Sequence, residues 1–264
     1  MAHVSALYVY PIKSCRGIRV DEWTVERRGF FADRRWMIVD AEGNFVTQRE
    51  VAQLSQVATS LDEDCLSVSA PGLYRLILPQ KYSAELRPVR IWQDRVLACA
   101  HPEGSAWFSE FLNAPHELVY MTDSEQRPVN PARARAGDIV SFADGYPFLL
   151  ISEASLEDLN ARLEEPITME RFRPNIVISG TEPFAEDGYS EVWLGAISFR
   201  GVKRCDRCVV TTIDPLTGER GREPLRTLAK YRLEDQRVWF GMNLIHDSTG
   251  VLRVGDPVAL PLTA

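Results

Sequence analysis

No stretch of this 264-residue chain is apolar for long enough to cross a bilayer as a helix, so no membrane-spanning role is expected. Histidine is scarce, and the four present never fall at the short spacing of a zinc motif. Cysteine is scarce too. Cys15, Cys65 and Cys99 stand alone, which leaves Cys205 and Cys208 as a single Cys-x-x-Cys, half of what a structural zinc site needs. An odd, irregularly spaced set of five also argues against a secreted disulfide framework and for a reducing, cytoplasmic setting. None of the few lysines sits in a context that suggests a Schiff base to pyridoxal phosphate. Positive charge is not in excess: the net charge of −7 speaks against non-specific nucleic-acid binding as the main role. The opening Met-Ala-His-Val-Ser-Ala-Leu-Tyr-Val-Tyr lacks the basic start and apolar centre of a signal peptide and reads as a strand.

What is present is mostly short strands separated by turns. Val4–Tyr10 alternates and stops at Pro11, and Arg35–Val39 leads through the turn residues of 40–44 into Phe45–Thr47. Pro71-Gly72 and Gln93-Asp94 mark two further hairpins. Trp107, Phe108, Phe111 and Leu112 share one face of a helix over Gly104–Leu112, where core packing is the natural reading. The proline-rich, basic run from Glu125 to Gly137 reads as a loop or crossing, with Arg127, Arg133 and Arg135 available to face an anion. Phe148–Ile151 is a buried strand, followed by a helix capped by Ser152 or by a Ser155–Asp158 box and ended by Pro166. Strands are expected at Asn175–Ser179, Glu191–Leu194 and Ile197–Val202, then a helix from Pro224 to Tyr231. Val238–Leu244 and Val251–Val254 are expected to pair. The pattern predicts a mainly β protein with a few helices (α+β), built as a barrel or sandwich.

The chemistry concentrates around Cys208. Lys203, Arg204 and Arg207 lie close by in sequence, and a thiol among cations is held more readily as the thiolate that binds soft metals or attacks electrophiles. The β-branched run Val209–Ile213 reads as strand, unlike the helix that opens after a thioredoxin-type dithiol, so Cys208 is a ligand or nucleophile at a strand end. Three other segments place polar groups at the ends of apolar strands: Tyr10-Pro-Ile-Lys13-Ser14-Cys15, Asp33-Arg34-Arg35-Trp36 and Phe172-Arg173-Pro174-Asn175. Together Lys13, Arg34 and Arg173 are candidates to converge on an anion such as a phosphate.

In these four motifs, in this order, and in the closing Phe240-Gly-Met-Asn-Leu244 and Val254-Gly-Asp-Pro-Val258, the chain resembles the MOSC proteins of the mitochondrial amidoxime-reducing type and their bacterial relatives. The resemblance implies a β-rich N-terminal domain over residues 1–116 and a MOSC β-barrel over 117–264, with a molybdenum cofactor (molybdopterin) between them. It implies Cys208 as the metal ligand, Cys205 as its neighbour, and Lys13, Ser14, Arg34, Arg173 and Asn175 as cofactor-binding residues. Asp144, in Phe142-Ala-Asp-Gly-Tyr-Pro147, matches an acidic residue beside the metal, while Gly145 and Tyr146 depart from the Thr-Ser of the mitochondrial proteins. The implied activity is reduction of N-hydroxylated compounds: amidoximes, hydroxylamines and N-oxides. A thiolate would add a third sulfur to the two of the pterin and leave positions open to substrate oxygen, with Asp144 handling protons. Some bacterial relatives carry a fused ferredoxin with Cys-x₄-Cys-x₂-Cys. The chain has no such cysteines, so electrons are expected from a separate ferredoxin-, flavoprotein- or cytochrome-type donor. The alternative is a carrier of the cofactor, or of persulfide sulfur on Cys208, without reductase activity.

Overall fold

Strand His3–Val9 lies inside the largest sheet, between Ile18–Val20 and Ile176–Ser179. A register shift between Val4 and Ala6 resets its alternation, so that Val4, Leu7 and Val9 face one apolar core and Ala6 and Tyr8 another. The computed structural model describes residues 1–62 and 64–260; the last four positions of the expected second domain lie outside them. The largest sheet has nine strands. Its path runs Ile18–Val20, His3–Val9, Ile176–Ser179, Phe148–Ser152, Arg237–His246, Ile197–Asp206, Glu191–Leu194 and Val258–Ala259, with Leu233–Glu234 hydrogen-bonded beside Arg237–His246. All neighbours are antiparallel except Phe148–Ser152 and Ile176–Ser179, which helix Glu153–Asn160 separates in sequence, as a parallel crossover requires. The sheet curls until Val4 N–H donates to Asp256 O (2.9 Å) and Val258 N–H to Ala2 O (3.0 Å). The named strands nevertheless do not close into a barrel.

The rest of the first half forms a four-stranded sheet (Trp36–Val39, Glu117–Tyr120, Asp94–His101, Leu86–Ile91) and a three-stranded one (Ala58–Asp62, Cys65–Ser69, Leu76–Pro79). Helix Pro102–Leu112 packs Trp107 and Phe108, both fully buried, into the core between them. The fold class is therefore mainly β, with three helices among the described residues, as the turn-rich pattern predicts.

Several local expectations fail for physical reasons. Gly250–Arg253 does not pair with Arg237–His246 but with Glu22–Glu26, a non-local choice that no turn dictates. Ser152, not Ser155, caps the second helix; the Ser155 hydroxyl instead donates to the buried Glu186 carboxylate (2.8 Å), and Asp158 pairs with Arg162. That helix ends at Asn160, well before Pro166, and the third helix spans only Leu225–Leu228. Phe45 makes only an isolated bridge to Val39 rather than starting a strand. Val209–Thr212 is a 3₁₀ turn despite its β-branched residues, because the Thr211 and Thr212 hydroxyls donate back to Cys208 O (3.0 Å) and Val209 O (2.8 Å).

Candidate functional site

A cavity of ≈ 600 Å³ opens between the two halves of the chain, and Lys13, Ser14, Arg34, Asp144, Arg173, Asn175 and Cys208 all line it. Its wall carries six cationic side chains (Lys13, Arg34, Arg49, Arg173, Lys203 and Arg207) against two carboxylates, Asp144 and Asp206. A chain of net charge −7 thus encloses a cationic hollow. Low-dielectric walls focus such a field on entering anions.

Two of these arginines hold their positions through backbone shape. Arg34 (φ 48°) and Arg173 (φ 56°) both adopt the left-handed region, which non-glycine residues rarely occupy. Both guanidinium groups lie over the Tyr10 ring, at 4.2 and 4.4 Å from its centroid. Arg34 Nη1 donates to Asp33 Oδ2 (2.5 Å) and to Asn175 Oδ1 (2.9 Å), while Arg173 Nη1 donates to Cys15 O (2.7 Å). Asn175, fully buried, donates in turn to Tyr8 O and Asp33 Oδ1, both at 3.2 Å. Its amide is engaged within the protein, where it braces Arg34 and Asp33. Burial pushes the Asp33 carboxyl above its usual range, although Arg34 and two further hydrogen-bond donors, Tyr10 N–H and Asn175, oppose this, and burial lowers Arg173.

At the other side Lys13, almost wholly buried, donates to Phe142 O (2.9 Å) and to Asp144. Loss of water pushes Lys13 down to about 8, with Asp144 opposing the shift. More than half of the Asp144 side chain is open to the cavity (57 %), yet the protein walls around it also penalise its charge. Lys13 and Arg49 outweigh that penalty and hold the carboxyl well below the ordinary range. Ser14 (φ 70°) completes this side, its carbonyl accepting from Gln48 Nε2 at 2.5 Å.

Arg49 is absent from the residues that the sequence singles out. Its Nη2 donates to Asp144 Oδ2 (3.1 Å), and its guanidinium lies 4.6 Å from the Trp92 ring centroid. Burial disfavours its charge, but Asp144 and then Cys208 more than restore it. Trp92 itself sits in the left-handed region (φ 54°), costly for so bulky a side chain, and its Nε1 points at Asp144 Oδ1 (3.4 Å). A polar Thr47-Gln-Arg-Glu50 loop and a hairpin tip offer little sequence signal for this grouping.

Strand Ile197–Asp206 ends two residues before Cys208, which forms the N-terminal boundary of the 3₁₀ turn and lines the cavity half-exposed. Cys205 accepts from Arg207 Nη1 (2.9 Å) and packs beside an apolar cluster. Arg127 does not serve as a lid: it is buried, with Nε on Asp94 Oδ2 (2.7 Å) and Nη1 on the carbonyls of Ser141 and Ala143, pinning the segment that carries Asp144. Arg133 and Arg135 are outside the cavity wall.

Among the described residues no group of three or more His, Cys, Asp or Glu side chains could enclose a bare metal ion. A thiol in a cationic hollow, with the neighbouring Cys205 sulfur engaged by Arg207, instead suits a metal that arrives with its own sulfur ligands and an anionic tail. The residues present fit a pterin-bound molybdenum: Cys208 as donor, and Lys13, Arg34 and Arg173 for the anionic part.

Fold and cavity together define a mainly β protein with a cationic cleft lined by two cysteines, and comparison with known proteins gives the class. Residues 1–115 match the MOSC N-terminal beta barrel domain and residues 137–259 the MOSC domain. Over 97% of its length the chain is 37% identical to mitochondrial amidoxime-reducing component 1 of Homo sapiens, covering 82% of that protein. It is likewise 37% identical, with the same two coverages of 97% and 82%, to mitochondrial amidoxime reducing component 2 of Bos taurus. Molybdenum cofactor sulfurase of Solanum lycopersicum is 32% identical over 97% of the chain, which covers 35% of that larger protein. The chain belongs to the MOSC-domain family, and within it to the amidoxime-reducing-component type.

Proposed function

We propose that this protein is a molybdenum-cofactor-dependent reductase of N-hydroxylated compounds, supplied with electrons by a separate donor protein. The observation that carries the reading is the cavity itself, where the Cys208 thiol faces a ring of cations beside Asp144. The names of the relatives support a reductase at the level of the family. When bound, the cofactor would supply the two-electron chemistry at nitrogen–oxygen bonds. The chain's own residues would do the rest. Cys208 would bind the metal, and Lys13, Ser14, Arg34 and Arg173 would hold the phosphate and pterin. Asn175 would keep Arg34 in place from behind. Asp144, ionised and open to the cavity, would orient a water or a substrate N–H by accepting its hydrogen bond at its Oδ atoms, while Lys13 and Arg49 fix its position. So lowered a carboxyl is a weak proton acceptor.

The test is to purify the protein from a host that makes molybdopterin, then measure bound molybdenum and benzamidoxime reduction with an artificial electron donor. Wild type should carry metal and turn over. Cys208→Ala should lose both, while Cys205→Ala should keep most of each. Well-folded protein from such a host with no molybdenum would overturn the assignment. The match to a sulfurase favours one competing reading, a sulfur carrier. A persulfide on Cys208 by mass spectrometry, with no turnover under any reductant, would establish that role instead. We also propose the division at residues 116/117 and, from the five free cysteines, a reducing cytoplasmic setting.

A further inference from the structure

A second cavity, of ≈ 320 Å³, shares Gln48, Arg173 and Val210 with the first but does not include Cys208 or Asp144. Its volume lies at the small end of the range for organic ligands. Tyr8, Ile167, Ile213 and Leu216 give it an apolar wall, and Arg16, Arg19 and Arg171 give it a cationic one. The charges there are not equally matched. Arg171 is paired with Asp214 (2.9 Å), and Glu170 interacts with the Tyr8 hydroxyl. Arg16 is half-buried, yet its side chain makes no hydrogen bond or ion pair with any described residue, and exposed Arg19 makes none either. Glu170 on the rim opposes anions, but it faces three cations that carry no carboxylate partner: Arg16, Arg19 and Arg173. A guanidinium half removed from water without a counter-charge is unfavourable, and its planar fork fits a carboxylate bidentately.

We propose that this cavity is a binding site for a small monocarboxylate with an aromatic or compact apolar body. Arg16 and Arg19 hold the carboxylate, and the Tyr8, Ile167 and Ile213 side receives the body. The site is distinct from the thiol end of the first cavity, because neither Cys208 nor Asp144 contributes to it, although Arg173 lines both.

The test uses 4-fluorobenzoate as probe, followed by ¹⁹F line broadening, with neutral 4-fluorobenzamide as its uncharged twin. Wild type should bind the carboxylate saturably at one site and the amide at least about tenfold more weakly, as expected when a charge-assisted hydrogen bond is lost. The double variant Arg16→Glu, Arg19→Glu should lose at least about tenfold in affinity for the carboxylate. Arg49→Glu, which alters only the first cavity, should leave it unchanged. Absence of saturable binding, equal binding of acid and amide, or loss of binding in Arg49→Glu but not in the double variant would each overturn the proposal. If the double variant does not fold, the acid–amide comparison on wild type and the exposed single variant Arg19→Glu decide the matter.

Discussion

Lys13 is held where a charged amine is disfavoured, and this gives its titration a readable direction. Burial brings it to about 8, whereas a lysine in water sits at 10.5. Below the lower value both folded and unfolded chains carry the proton, and the penalty of burying it is constant. Between the two values the unfolded chain binds a proton that the folded one has released, so raising the pH relieves the penalty. Wild type should therefore gain stability relative to Lys13→Met as the pH rises through this window, measured by urea denaturation at a series of pH values. A pH-independent difference would contradict the assignment. Asn175 gives a second residue-level expectation. Asn175→Ala would strip Arg34 and Asp33 of a buried partner and cost about 3 kcal/mol, since charged groups left unpaired lose more than an ordinary hydrogen bond. The denaturation midpoint should fall with an unchanged slope. Lys13, Arg34 and Arg173 are legible in the sequence only as a set: singly each reads as a solvated charge in a turn, and it is their recurrence at three strand ends that points to convergence. Arg49 is not, since it lies in a loop where arginine is ordinary and only tertiary contact with Trp92 and Asp144 gives it meaning.

Strand Ile197–Asp206 carries the Cys205 segment and shows what an element needs in order to bend. Its register against Arg237–His246 shifts between Gly201 and Lys203 and again between Arg204 and Asp206. At the first shift the backbone of Tyr189 comes so close that a Cβ on Gly201 would lie 1.7 Å from Tyr189 O. Gly201→Ala should therefore destabilise the protein by about 3 kcal/mol, the upper part of the range for overpacking, because backbone cannot step aside as a side chain can. Thermal denaturation measures this, and a neutral effect would show that the strand can shift as a unit. Strand positions are readable from alternation and turn residues, as in the hairpins around Pro71-Gly72 and Gln93-Asp94. Partners are not readable when the connection is long. Val251 lies opposite Thr24, more than two hundred residues earlier in the chain. Local hydroxyl bonding also defeats propensity, as the 3₁₀ turn after Cys208 shows.

At the scale of the whole molecule, charge is segregated: an acidic exterior surrounds a cationic hollow. A small reagent reports on this without any cofactor. Cys208 should react faster with anionic iodoacetate, relative to neutral iodoacetamide, than the half-exposed Cys65 does. Raising the salt concentration should shrink that preference by screening the field. Equal preference at the two thiols, read by peptide mass mapping, would mean that the cavity's charges do not act together at Cys208. The sheet that backs this hollow has a further consequence. Strand His3–Val9 hydrogen-bonds to Ile176–Ser179 and, through Val4 and Ala2, to the segment at 256–258. One edge pairs locally with Ile18–Val20, but the other must wait for most of this sequence to emerge before it finds its neighbours. Assembly of the cleft is thus among the last events of folding, and a nascent chain halted midway would leave one apolar strand edge unpaired and open to association with other chains.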